Sequence, residues 1–206
     1  MADAVVLGVF EDFAQRDFHL GLLETQAATL DVAIDVESRV TRGCRFSPLA
    51  EYLGLAAHFD GVLLGVDGGG ASSRTKRQRL AAGLLQRGID GWPEPCLVSV
   101  AEPSIEAWLM ADPQALPETL AQLYGQPCRT GVRRPAHPRS ERTAKQRLFG
   151  WSEALLGDRL LRGGAEHAEE VGRRVALPRL GRSRNRDLCS LLQDDLPQFL
   201  RECVQG

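Results

Sequence analysis

The stretch DGVLLGVDGGG, Asp60 to Gly70, decides how the chain is read. From Val62 to Asp67 five of the six residues are apolar or glycine, and the last is a carboxylate. A continuous apolar run of this length, closed by glycines, predicts a central strand buried on both faces. Ligands of open α/β sheets bind beyond the carboxyl ends of such strands, which is where Asp67 falls. Gly68, Gly69 and Gly70 permit a sharp turn or a close approach of backbone to a ligand. Asp67 is equally open to a plainer reading, in which it bonds local amides of a βα turn and Ser72 or Ser73 caps the next helix.

Outward from that strand, the chain alternates. Ala4 to Phe10 (AVVLGVF) reads as a first strand ending on Glu11, and Asp12 opens an amphipathic helix running to about Leu30. Asp31 to Val36 alternates apolar and acidic residues, which predicts an edge or half-buried strand. Pro48 begins a second helix, and Arg74 to Gln86 forms a third, closed at Gly88. Cys96 to Ala101 is a further buried strand, after which Pro103 restarts the chain as a helix carrying Glu106 and Trp108. The rest reads as helices over Gln114–Tyr124, Thr143–Leu156, Asp158–Val175 and Asp187–Cys203, the last open to a kink at Pro197. This order predicts an α/β fold, a mostly parallel sheet flanked by helices with right-handed crossovers and a C-terminal helical extension. Residues 1–125 form the α/β part, and 126–206 a basic loop and helices packed on it.

The 206 residues suffice for one α/β core with an appended lobe. No run is long enough to span a bilayer, and the strand-like start leaves no signal peptide, so the expected location is cytoplasmic. Five scattered cysteines without a CxxC pair, Cys44 among them, predict reduced thiols and argue against zinc. The net charge of -2 conceals an asymmetry: residues 1–75 hold five Arg/Lys against eleven Asp/Glu, residues 129–186 fifteen against six. A basic segment beside a carboxylate-rich lobe suits a phosphodiester substrate, although a solvated helical surface gives the same composition.

Glu11, Asp67, Glu102 and Glu106 all follow strand ends and so converge on one rim if the strands are neighbours. Such acids suit Mg²⁺, which takes one or two carboxylates with waters and phosphate oxygens; each acid also fits a cap of its own helix. The turn GGGASSRTK, Gly68 to Lys76, lacks phosphate-loop spacing but leaves an anion-binding nest open, with Arg74 and Lys76 beside it. No Ser/His/Asp order points to a hydrolase triad. Trp108 shares a face with Ile105 and Leu109 and reads as core.

Three segments in this order, VVLGVFED (5–12), VLLGVDGG (62–69) and VAEPSIEAWLMAD (100–112), resemble a Toprim-like domain. Within it, IEAWLMAD resembles the Glu-x-Trp signature of the RloB-like and OLD-type nuclease group. That resemblance implies a Mg²⁺-dependent nuclease, with Mn²⁺ as the alternative ion, acting on DNA or RNA in bacterial defence or mobile elements beside an ATPase partner protein. It assigns Glu11 a general acid/base role and makes Asp67 the first acid of an Asp-x-Asp metal motif, with Glu106 on the same rim. Asp12 stands where the family has glycine, and Gly69 replaces the second Asp. The alternative is therefore a non-catalytic Toprim-like module that binds nucleic acid or a partner protein. Arg74, Lys76, Arg142, Lys145 and Arg147, with Arg133, Arg134 and Arg139, are the expected phosphate contacts; no membrane contact is expected, and an oligomer is left open.

Overall fold

In the computed structural model, residues 2–42, 46–157, 167–181 and 185–206 are described, and of 46–48 only the backbone. Cys44 and the first nine residues of the helix expected over Asp158–Val175 lie outside them.

The sheet has four parallel strands in the order β2-β1-β3-β4: β1 Ala4–Phe10, β2 Ile34–Val40, β3 Gly61–Asp67 and β4 Cys96–Ala101. β3 is buried along its whole length. Its register pairs Phe10 with Gly65 on one side and Asp67 with Ala101 on the other. The carboxyl ends of β1, β3 and β4 therefore meet at one rim. Alternate β3 residues serve two cores. Val62, Leu64 and Val66 pack toward α2 (Phe46–Leu53) and α3 (Ser73–Leu85), while Leu63 joins the larger cluster on the opposite face. That cluster is filled by α1 (Phe13–Leu30), α4 (Ile105–Leu109), α5 (Ala115–Tyr124), α6 (Glu141–Leu156), α7 (Ala168–Arg174), α8 (Arg186–Ser190) and α9 (Leu196–Gln205). Phe18, Leu22, Trp108, Trp151, Val171, Phe199 and Leu200 all belong to it, so one apolar core runs across residue 125.

Two elements differ from the sequence expectation. β2 begins at Ile34 rather than Asp31, because Asp31 ends α1 in the left-handed region (φ 57°) with its N–H bonded to Ala27 and Ala28. The strand then continues past Val36 to Val40 with Asp35 and Glu37 facing solvent, as a charged edge should. The final helix is not uniform: a π turn, Leu191–Asp195, separates α8 from α9 just before Pro197. Proline lacks the N–H that the i−4 carbonyl needs and its ring crowds that carbonyl, so the widened turn carries the helix through without a break.

The α1–α7 crossing is backbone against backbone. A Cβ on Gly21 would lie 2.1 Å from the Glu169 carbonyl oxygen, and one on Gly172 2.4 Å from that of Phe18. Neither obstacle is a flexible side-chain tip. Gly21→Ala is expected to lower stability by about 1–3 kcal/mol in a denaturant melt, through forced separation of the helices; a neutral result would mean that α7 does not seat this closely.

Candidate functional site: a carboxylate rim at the ends of β1 and β3

Asp67 closes β3 with its side chain on the α1 face, only 8% exposed. Its Oδ1 accepts from Gln15 Nε2 at 2.5 Å and from the Ile105 N–H at 2.8 Å. Glu11 continues β1 by one residue, donating its N–H to the Gly65 carbonyl at 3.0 Å. This places Glu11 Oε2 as the acceptor of the Asp67 N–H, also at 3.0 Å. Glu106 sits in the first turn of α4, 7% exposed, and its Oε2 accepts from the Ser104 hydroxyl at 2.6 Å. Asp12 caps α1 through the Gln15 N–H at 2.8 Å.

Burial pushes the Asp67 carboxyl up to about 7; the Ile105 N–H opposes the shift, and the charges of Glu106, Asp12 and Glu11 add to it. Two lysines partly offset this crowding. Lys76 Nζ lies 3.9 Å from Glu11 Oε2, and Lys145 Nζ lies 3.8 Å from Glu106 Oε1 and 2.6 Å from Glu141. The Lys145 ammonium is held above its usual range, chiefly by its bond to Glu141.

Among the described residues, no three or more acids, histidines or cysteines are grouped so that they could hold a metal ion. Mg²⁺ does not require such a group, since one or two carboxylates with waters suffice. The side chains of Glu11, Asp67 and Glu106 carry hard oxygens of the kind such an ion takes, and beside them the buried Gln15 Oε1 has no partner among the described residues. Position 69 offers no ligand. Gly69 is left-handed (φ +60°) with open space where a Cβ would stand.

The expected phosphate contacts separate into groups. Lys76 and Lys145 turn in toward the acids, as above. Arg147 donates to the Ala136 and His137 carbonyls at 2.6 and 3.1 Å, and Arg134 bonds the Ala111 carbonyl, so both hold the 126–140 segment in place. Arg133, Arg139 and Arg142 are exposed on the surface. Arg74 lines a separate cavity beside β4 with Ser73 and Asp187. The nest expected at the start of α3 has given its amides to the protein: the Ser73 N–H goes to Glu102 Oε1 and the Thr75 N–H to the Ser72 hydroxyl.

Several contributors were not singled out from sequence. Gln15 stands three residues after the cap Asp12, in the D-x-x-Q pattern of a capping box, but spends its amide on Asp67 instead of the cap backbone. One turn on, His19 is fully desolvated; burial lowers its imidazole to about 4 against the bond to Gln15. It is therefore neutral near pH 7, with Nδ1–H donating to the Gln15 carbonyl at 2.7 Å and Nε2 accepting from the Ser99 hydroxyl at 2.8 Å. His19 thus ties the helix that carries Gln15 to β4. Asp112 serves as a buried junction: Oδ1 accepts from the Gln114 and Ala115 N–H groups, Oδ2 from the Ala176 N–H and Arg179 Nε. Of the described helices, none is long and apolar enough to cross a membrane. No family model, curated protein or solved structure matches the chain.

Proposed function

We propose that this rim is the centre of a metal-dependent, Toprim-like nuclease acting on DNA or RNA phosphodiesters. The observation that carries the reading is the contact between strands: the Glu11 carboxylate accepts the N–H of Asp67, while the carboxyl of Asp67 is held near 7 beside Glu106. A carboxyl buried at a strand end at a cost in stability, with further acids beside it, is a feature that clusters at functional sites. Glu11, Asp67 and Glu106 would hold Mg²⁺ or Mn²⁺, which when bound supplies Lewis acidity toward a phosphate oxygen. Glu11, the most accessible of the three acids, is placed to take a proton from the attacking water or return one to the departing sugar oxygen. Gln15 and the Ile105 N–H fix Asp67, and Lys76 and Lys145 lend positive charge to the developing phosphorane. Arg133, Arg139 and Arg142 would track the backbone, and an ATPase partner would supply regulation.

Incubation with supercoiled, linear and single-stranded DNA and with RNA, in Mg²⁺ or Mn²⁺, tests the reading. Cleavage by wild type, lost in Glu11→Gln and Glu106→Gln, is the expected result; equal traces of cleavage in all three proteins would mark contamination and end it. Binding should also weaken roughly fortyfold between about 50 and about 200 mM salt if those three arginines neutralise three phosphates. An affinity flat across that range would assign them to a protein surface.

A non-catalytic module is favoured by one observation, the glycine at 69 where a second metal acid is expected. The left-handed backbone there is one that Asp tolerates better than most residues, and nothing obstructs its side chain. Gly69→Asp is therefore expected to fold, with a loss of about 1 kcal/mol, and to bind Mg²⁺ about tenfold more tightly by calorimetry. An unchanged affinity would mean that residue 69 does not face the ion.

A further inference from the structure

Strand β2 forms one edge of the sheet and pairs with β1 alone. The Ala33 carbonyl accepts from the Ala4 N–H at 3.3 Å, and the Thr41 N–H donates to the Phe10 carbonyl at 2.8 Å. In a parallel ladder this phase turns the backbone groups of the odd-numbered residues toward β1 and those of Val36, Ser38 and Val40 outward. Of these outward groups only the Ser38 carbonyl has a partner among the described residues, the Arg39 guanidinium at 3.0 Å. The side chains alternate as well. Ile34 and Val36 pack on the larger core cluster, whereas Glu37 and Arg39 lie on the other face, ion-paired to each other and 47% and 35% exposed.

An open edge invites a further strand, and the residues along it decide which one. The run VESRV, Val36 to Val40, is complementary to its own reverse about Ser38. Antiparallel pairing centred there sets Ser38 opposite the partner's Ser38 and Val36 opposite the partner's Val40. Each outward residue then meets another outward residue and exchanges both backbone bonds with it. Glu37 falls opposite the partner's Arg39 on both sides of the axis, in the close pairs that carry no ladder bonds. Neighbouring registers fail on charge. Centred on Val36, Asp35 would face the partner's Glu37; centred on Glu37 or on Arg39, that residue would face its own copy.

We infer that β2 is an interface between two copies of this chain, joined antiparallel about Ser38 into one continuous sheet. The occupant is a second copy because one register supplies the ion pairs, the valine pairs and the ladder bonds together. Asp35 meets the partner's Thr41 there, so no like charges stand directly opposite. The antiparallel join sends the two carboxylate rims to opposite ends of the sheet, and the inference does not depend on the nuclease reading.

Sedimentation equilibrium of the full chain over a concentration series tests the interface in wild type, Arg39→Glu and the exchange variant Glu37→Arg/Arg39→Glu. Wild type is expected to pass from the mass of one chain to that of two as concentration rises. Arg39→Glu sets like charges opposite each other on both sides of the axis and is expected to weaken the dimer about thirtyfold. The exchange variant restores opposite charges and is expected to recover the wild-type affinity. A single-chain mass for wild type up to about 1 mM would overturn the inference and leave the edge to a foreign strand. A dimer that Arg39→Glu does not weaken would place the contact on another surface and overturn it as well. Weakening that the exchange variant does not repair would overturn the register about Ser38. Should Arg39→Glu not fold, Glu37→Arg serves in its place, because it sets like charges opposite at Arg39; an unchanged affinity there would overturn the interface.

Discussion

Asp67→Asn, in chelator-treated protein at pH 8, is expected to melt at a higher temperature than wild type while losing all cleavage. The sign follows from linkage. A carboxyl raised from 3.8 to about 7 by folding favours the native state fully below its unfolded value, and that contribution is lost as pH rises through about 7. Above that pH the ionised Asp67 opposes folding by up to roughly 4 kcal/mol, an upper bound from a shift of about three units. Asparagine keeps the shape and an oxygen for Gln15 and Ile105, and removes the charge. The advantage of the variant should therefore be greatest at pH 8 and vanish near pH 4. A lower melting temperature for the variant at pH 8 would mean that Lys76 and Lys145 compensate the charge fully, and the argument from crowded acids would fail.

Asp112→Ala should have an effect of similar size and opposite direction, a loss of about 3–5 kcal/mol. Its carboxylate is wholly buried and serves three backbone N–H groups and the guanidinium of Arg179, at 2.8 Å. Removing it takes the acceptor from three amides and one acceptor from Arg179, which keeps Gln114 and the Arg174 carbonyl. For a chain of this length the melting temperature should fall by roughly 10 °C. Arg179→Ala should cost clearly less, because the amides keep their acceptor. Equal losses in the two variants would show that the ion pair, and not the backbone bonds, carries the junction.

What could be read in the sequence depended on how local each signal was. β3 was legible because its two faces are both apolar and its end is marked by glycines. The ends of β2 were not, because Asp31 serves the preceding helix through a left-handed cap, a choice that alternation of side chains does not record. The rim itself followed from strand order: Glu11, Asp67 and Glu106 were placed by position after strand ends, and the structure brings them to one rim. Gln15 could not be found this way, since its partner is 52 residues away and its local pattern describes a cap. Charge composition was the least informative guide. It does not distinguish Lys145, which faces an acid, from Arg147, which holds backbone carbonyls, or from Arg142, which faces solvent. Asp112 read as a helix breaker because its partners lie 64 and 67 residues further on.

Helix α1 has a consequence for how this protein can be divided. Its first turn fixes Asp67 through Gln15, its second is bonded to β4 through His19, and its third lies with Gly21 against the backbone of α7. The same rod is thus anchored at the rim and clasped by a segment more than a hundred residues later in the chain. Evolution can recombine parts of a protein only where a cut leaves two finished surfaces, and a cut after residue 125 leaves neither. The α/β half would lose the layer that covers α1, and the helical half would have nothing to wrap. The C-terminal helices are therefore not an exchangeable attachment to the carboxylate rim but part of what holds its acids in position, and the two halves can vary only in step.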